Sequence, residues 1–170
     1  VYLPFEDQAS LLPLFRQFKD FQFYVYAPGL GYADEGNVHT RPPSREGFQR
    51  DLMNSHWVIC NAGFELISEA LQLGKQILAK PLCGQMEQMS NAAALEQLGY
   101  ATIEERIDDQ ALDFWFNCEL ILTRPSYPNV AAALADWIHR GCREDVASLS
   151  DRLWSGASRS ALTPSLWQAA

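Results

Sequence analysis

A doubly wound α/β fold is predicted by three features of this 170-residue chain. Short apolar runs alternate with stretches of helical periodicity, as in a sheet covered by crossover helices. The runs are nearly continuous in their apolar character, which marks strands of a parallel sheet buried on both faces. Gly74 and Gly99 stand where periodic segments stop, the position at which a helix hands over to a left-handed residue. With 48% hydrophobic and 20% charged residues, the chain can bury one sizeable core.

Residues 1–5 read as a strand, and Ser10 as the cap of a helix to about residue 18, with Pro13 in the first turn, where no backbone donor is needed. Residues 22–27, with Phe23, Tyr24, Val25 and Tyr26, form a second strand. A turn-rich loop covers 28–36, and a short extended piece over 37–41 is ended by Pro42-Pro43. Ser44 and Gly47 open a helix whose Phe48, Leu52 and Met53 keep helical spacing, and residues 57–60 are a third apolar strand. Asn61-Ala62-Gly63 turns the chain into a helix that runs through Leu73. A strand over 76–80, a loop over 81–85, a helix over about 86–98 and a short strand over 100–103 complete a Rossmann-like sheet with helices on both faces. Further helices are expected over 108–116 and 129–140. Residues 1–140 are thus expected to form one domain, and residues 141–170 a helical tail.

A net charge of −8 argues against a polyanion-binding surface, so nucleic acid is not an expected partner. The four cysteines (Cys60, Cys83, Cys118 and Cys142) are scattered without metal-ligand spacing. They read as reduced thiols of a cytoplasmic protein, with Cys60 and Cys83 packed in apolar surroundings. No run approaches the roughly 18 apolar residues that span a bilayer, and no basic region precedes the first strand, so neither a transmembrane segment nor a signal peptide is expected. A strand starting at Val1 suggests a piece of a longer protein.

In an open parallel sheet, ligands bind beyond the carboxyl ends of the strands, where helix N-termini offer free N–H groups and a partial positive charge. Two such junctions carry chemistry here. At Cys60-Asn61-Ala62-Gly63-Phe64, a turn of small residues would let a diphosphate approach the next helix, and Glu69, about a turn and a half on, could accept from a ribose diol. At Gly84-Gln85-Met86-Glu87-Gln88-Met89-Ser90-Asn91, the side chains of Glu87, Gln88 and Asn91 share a helical face, and acidic and amide groups together suit sugar hydroxyls. Either junction alone is commonplace: a glycine turn, a solvated glutamate, an acidic first turn.

Together, Gly63-x5-Glu69, Gly74-Lys75, Pro81 and Glu87-Gln88-x-x-Asn91-Ala92 resemble the donor-site signature of GT-B glycosyltransferases. The pattern is similar to the plant secondary-product transferase box and to the N-acetylglucosaminyltransferase that makes lipid II. It is also similar to a bacterial and archaeal family of transferases with Ala-Gly-Phe-x-x-x-x-Glu-Ala and Gly-Gln-x-Glu-Gln-x-x-Asn-Ala. The likeness is strongest from about residue 37 to residue 99.

The resemblance implies the C-terminal half of a two-domain enzyme that transfers a hexose-type sugar from a nucleotide diphosphate sugar, with UDP favoured by likeness. It implies that Asn61, Ala62, Gly63 and Phe64 form the diphosphate turn, that Glu69 holds the ribose, and that Gln85, Glu87 and Gln88 meet the donor sugar. Asn91 ties loop to helix, and Arg41, in His39-Thr40-Arg41, falls where such domains recognise the base. No metal and no cofactor are implied; the nucleotide sugar is a substrate, and the partner is an N-terminal acceptor half that would carry the catalytic base, so this chain alone is expected to bind without turnover. Trp154 and Trp167 in the tail are candidates for contact with that half.

Two departures stand out. Asn61 occupies the place of a histidine in the plant box, and the first strand ends in Pro4-Phe5-Glu6-Asp7, two carboxylates where some relatives have a glycine-rich loop. His39, His56 and His139 have no partner evident in sequence, and His56 beside Trp57 reads as packing. Half of a nucleotide-sugar 2-epimerase and a non-catalytic binding module are the alternatives.

Overall fold

In the computed structural model, which describes residues 1–117 and 127–155, two three-stranded sheets flank the first residues of the chain. One has the order β1-β3-β2 and the other β4-β5-β6. The strands are β1 (Phe23–Tyr26), β2 (Ala33–Glu35), β3 (Val38–Arg41), β4 (Trp57–Asn61), β5 (Gln76–Lys80) and β6 (Thr102–Ile103). The Val1 oxygen accepts from Tyr26 N–H, Tyr2 N–H donates to Ile59 O, and Tyr2 bridges Cys60 in parallel. Residues 1–2 therefore stitch the sheets into one layer, β2-β3-β1-(residues 1–2)-β4-β5-β6. Every pairing in it is parallel except β2 with β3. The expected strand over residues 1–5 is shorter than its apolar run, because Pro4 turns the chain away.

Alternation along the strands builds a core on each face. Val58, Cys60, Ile77 and Ala79 face one side, with Leu52, Ile67, Ala70, Leu71, Ala92 and Leu95. These belong to α2 (Arg45–Asn54), α3 (Phe64–Gln72) and α4 (Met86–Leu98). Ile59 and Leu78 face the other side, with Leu11 and Phe15 of α1 (Gln8–Phe15) and with Leu112 and Trp115 of α5 (Asp109–Asn117). The order of first segment, β4 and their helices makes the doubly wound arrangement: α1 follows the first segment on one face and α3 follows β4 on the other. That divergence opens a crevice at the carboxyl edge.

Local chemistry decides the helix ends. Ser44 caps α2 through its hydroxyl, which accepts from Gly47 N–H at 3.2 Å. Lys75 closes the same helix: its ammonium donates to Met53 O at 2.9 Å and Ser55 O at 2.6 Å, a cation at a helix C-terminus. Gly99 is left-handed at φ 67° after α4. Asp7, and not Ser10, caps α1: its carboxylate accepts from Ala9 N–H at 3.1 Å and from the Ser10 hydroxyl as well. These bonds, that of Ser10 first, hold the Asp7 carboxyl below the usual carboxylate range. The helix thus begins earlier than expected, and Pro13 falls in its interior.

Contacts divide the chain into Val1–Thr123 and Arg124–Ala170. In the second unit, Trp137 Nε1 of α6 (Val130–His139) donates to Glu144 O at 2.7 Å, just before α7 (Val146–Trp154), and Tyr127 meets Trp154 of α7 edge-on. The helix over 130–139, expected within a domain of residues 1–140, falls in this second unit. Trp167 and Cys118 lie outside the described residues. No helix among the described residues is long and apolar enough to cross a membrane.

Cys60 is buried, and burial pushes its thiol up to about 12. Cys83 is exposed, not packed as expected, because the loop after β5 turns outward there; Cys142 is exposed too. Brief alkylation of the native chain near pH 8 is expected to modify Cys83 and Cys142, and Cys60 only after denaturation, as read by peptide mass spectrometry.

Candidate functional site

The carboxyl ends of β4 and β5 carry the two junctions read from the sequence. After β4, Ala62 is wholly buried and Gly63 is the N-cap of α3, with φ −76° and ψ 144° and no side chain to cap the first turn. The leading N–H groups of α3 are thereby left for a ligand. Asn61 is 8% exposed; its Nδ2 donates to Lys80 O at 3.0 Å, while its Oδ1 is buried without a partner.

After β5, residues 81–85 lead into α4, capped by the backbone of Gln85. Gln88 is buried and fastens this loop: its Oε1 accepts from Leu82 N–H at 3.0 Å and its Nε2 donates to Gln85 Oε1 at 3.1 Å. Asn91 Nδ2 donates to Ala62 O at 3.0 Å, linking α4 to the turn before α3. The two helix N-termini are thus held side by side by amides that the sequence had placed on one face. Glu69 on α3 and Glu87 on α4 are exposed and form no side-chain hydrogen bond or ion pair among the described residues. Phe64 is 69% exposed at the first position of α3.

Arg41 ends β3, three strand steps from β4 and so about 14 Å away at the usual interstrand spacing. Its guanidinium donates to Ala33 O, Thr40 O and Asp34 Oδ1, and lies over the rings of Tyr24 and Tyr32. Arg41 first, and then His39, keep the Asp34 carboxyl below its ordinary range. His39 therefore has partners the sequence did not reveal: Asp34 at 2.7 Å and Gln22 at 2.9 Å. His56 is exposed, its ring tilted on Trp57. Beside Arg41, an open cavity of about 470 Å³ is lined by Tyr26, Tyr32, Ser44 and Arg50. The Tyr26 hydroxyl donates to Asp51 at 2.6 Å, and burial, then this bond, raise the phenol above its usual value.

A larger cavity of about 570 Å³ lies between β1 and β4, from Phe21, Phe23, Trp57 and Phe116 at the amino-terminal side to Tyr26 and Arg50, which it shares with the first cavity. It is remote from both helix N-termini, and the electrostatics of a parallel sheet favour the carboxyl edge for an anionic ligand. Among the described residues, no group of three or more His, Cys, Asp or Glu is placed to hold a metal ion.

One further residue at this edge escaped the sequence reading. Lys80 ends β5 and donates to Glu6 Oε1 at 2.6 Å. Its only signal was a cation at the carboxyl end of an otherwise apolar strand.

The solved structures that share this fold include the glycosyltransferase SnogD from Streptomyces nogalater. The match has a TM-score of 0.52 and 22% identity, and covers 68% of this chain and 33% of that one. The glycotransferase of kitacinnamycin matches with a TM-score of 0.50 and 16% identity, over 65% of this chain and 32% of that one. The chain spans about a third of the length of each, and at these identities the likeness is one of fold. No curated protein matches the sequence. Residues 1–118, the sheet unit with its two junctions, match the family described as glycosyl transferase family 1. The chain belongs to glycosyl transferase family 1, as a domain of GT-B type.

Proposed function

We propose that this domain is the C-terminal, donor-binding half of a glycosyltransferase that moves a hexose-type sugar from a nucleotide diphosphate sugar, with UDP favoured, onto an acceptor held by an N-terminal half. The observation that carries the reading is the pairing of two helix N-termini at the carboxyl edge, tied by Asn91 and Gln88, with two uncommitted carboxylates beside them. The turn Asn61-Ala62-Gly63-Phe64 receives the diphosphate, and Glu69 takes the ribose diol. Gln85, Glu87 and, through the loop it fastens, Gln88 frame the sugar. Arg41 and the cavity beside it suit the base end of the nucleotide, given their distance from α3.

The chemistry is displacement at the anomeric carbon: an acceptor oxygen forms the new bond as the bond to the nucleotide diphosphate breaks. The acceptor proton goes to a base of the other half. The part of this chain is to stabilise the departing diphosphate with preoriented N–H groups of α3, a task that requires no divalent ion or cofactor.

Titrating the folded chain with UDP-, GDP- and dTDP-sugars tests the reading. Saturable binding of one nucleotide series is expected, and its absence at millimolar ligand would overturn it. Glu69→Ala is expected to weaken UDP binding roughly 10- to 150-fold, the effect of losing hydrogen bonds to a charged acceptor of about 1.5–3 kcal/mol. It should abolish the preference for UDP over 2′-deoxy-UDP, while the melting temperature of this exposed-site variant stays within a degree or two.

A further inference from the structure

Four polar side chains converge on the carboxyl edge at the entrance to α1. Lys80 Nζ and Glu6 Oε1 are paired at 2.6 Å, with side chains only 17% and 21% exposed. Gln8 Nε2 donates to Leu3 O at 2.8 Å and Glu6 O at 3.0 Å, and its Oε1 is buried without a partner. Asn61, at the register position facing Lys80, donates to the Lys80 carbonyl and also keeps a buried Oδ1 unpaired. Alternation from Cys60 and Ala79, which face the α3 side, places the side chains of Asn61 and Lys80 on the α1 side. The Lys80–Glu6 pair therefore crosses the end of β4 at the crevice itself.

Glu6 and Asp7 make this corner anionic, which conflicts with a diphosphate at the neighbouring α3 turn. Two other cations of this unit are committed, Arg41 to Asp34 and the hairpin carbonyls and Lys75 to the end of α2. Lysine is a compact charge on a flexible stem with three donors, suited to changing partners.

We propose that Lys80 and Glu6 form an exchangeable ion pair: on donor binding, Lys80 leaves Glu6 for the diphosphate, and the same ammonium gives the orphaned Asn61 Oδ1 a donor. Lys80 is then the residue that supplies positive charge to the leaving group and selects nucleoside diphosphates over nucleosides. This rests on the donor-site reading above.

Calorimetric titration of the full chain with UDP and with uridine separates the possibilities. Lys80→Gln is expected to weaken UDP roughly 10- to 100-fold and to leave uridine within twofold, as befits a lost charged hydrogen bond. Lys80→Arg, which keeps the charge, should retain most of the affinity and also shows that the position tolerates change. Glu6→Gln is expected to tighten UDP severalfold, since Lys80 no longer has to be released, and the double variant Glu6→Gln/Lys80→Gln should stay as weak as Lys80→Gln. Wild-type affinity in the double variant would show that Lys80 merely shields Glu6 and would overturn the proposal, as would unchanged UDP binding by a folded Lys80→Gln. A folded wild-type chain that binds neither UDP nor uridine would instead bring down the donor-site reading, and this proposal with it.

Discussion

Gly63→Ala is expected to leave the fold intact and to weaken UDP binding roughly 10- to 150-fold, the range for loss of hydrogen bonds to a charged group. Gly63 has φ −76° and ψ 144°, ordinary extended backbone for any residue. A Cβ built there meets nothing within 4 Å. Alanine is a poorer N-cap than glycine by about 0.5–1 kcal/mol, and the loss of chain entropy in the unfolded state offsets about 0.4–1 kcal/mol of that. The protein itself therefore gains little from glycine at this position, whereas a phosphate approaching the first N–H groups of α3 would collide with the methyl group. Gly84 is the contrasting control. Its φ of 79° makes any side chain strained, so Gly84→Ala should lower the melting temperature first. The measurement is a paired UDP titration and thermal melt of both variants; Gly63→Ala binding UDP like the parent would show that no phosphate comes near α3.

The layered fold and the two junctions were legible because their signals are local. Continuous apolar runs over β4 and β5, the Ser44 cap, Gly99 and the shared face of Gln88 and Asn91 each lie within a few residues of the structure they specify. What stayed hidden depends on pairing between distant segments. Glu6 and Lys80 are 74 residues apart and meet only because residues 1–2 lie beside β4. The partners of Arg41, expected to meet the base, stayed hidden because β2, three residues with the polar pair Asp34-Glu35, has too little apolar character to announce the hairpin that holds the guanidinium. The start of α1 was placed at Ser10 because serine and aspartate are comparable caps, and only the geometry of Ala9 N–H chooses Asp7.

Trp115→Ala is expected to have the largest effect on stability, about 3–5 kcal/mol. Trp115 is wholly buried in α5, among Phe15, Leu78 and Leu112, all likewise inaccessible, and its ring lies 5.1 Å from that of Phe116. Truncation to a methyl group empties the centre of the face that α1 and α5 share, in a protein whose total stability is of the order of 5–15 kcal/mol. The indole also carries a cost, for its Nε1 is buried without a hydrogen-bond partner among the described residues, and an unpaired buried donor is unfavourable by about 1–3 kcal/mol. Trp115→Phe removes that donor along with part of the ring, so the two effects oppose each other and the net loss should stay under about 2 kcal/mol. Urea unfolding of the three proteins decides the matter: a large fall in midpoint for alanine with unchanged slope, and a small one for phenylalanine. If phenylalanine proves as damaging as alanine, the indole N–H has a partner and Trp115 is held by more than packing.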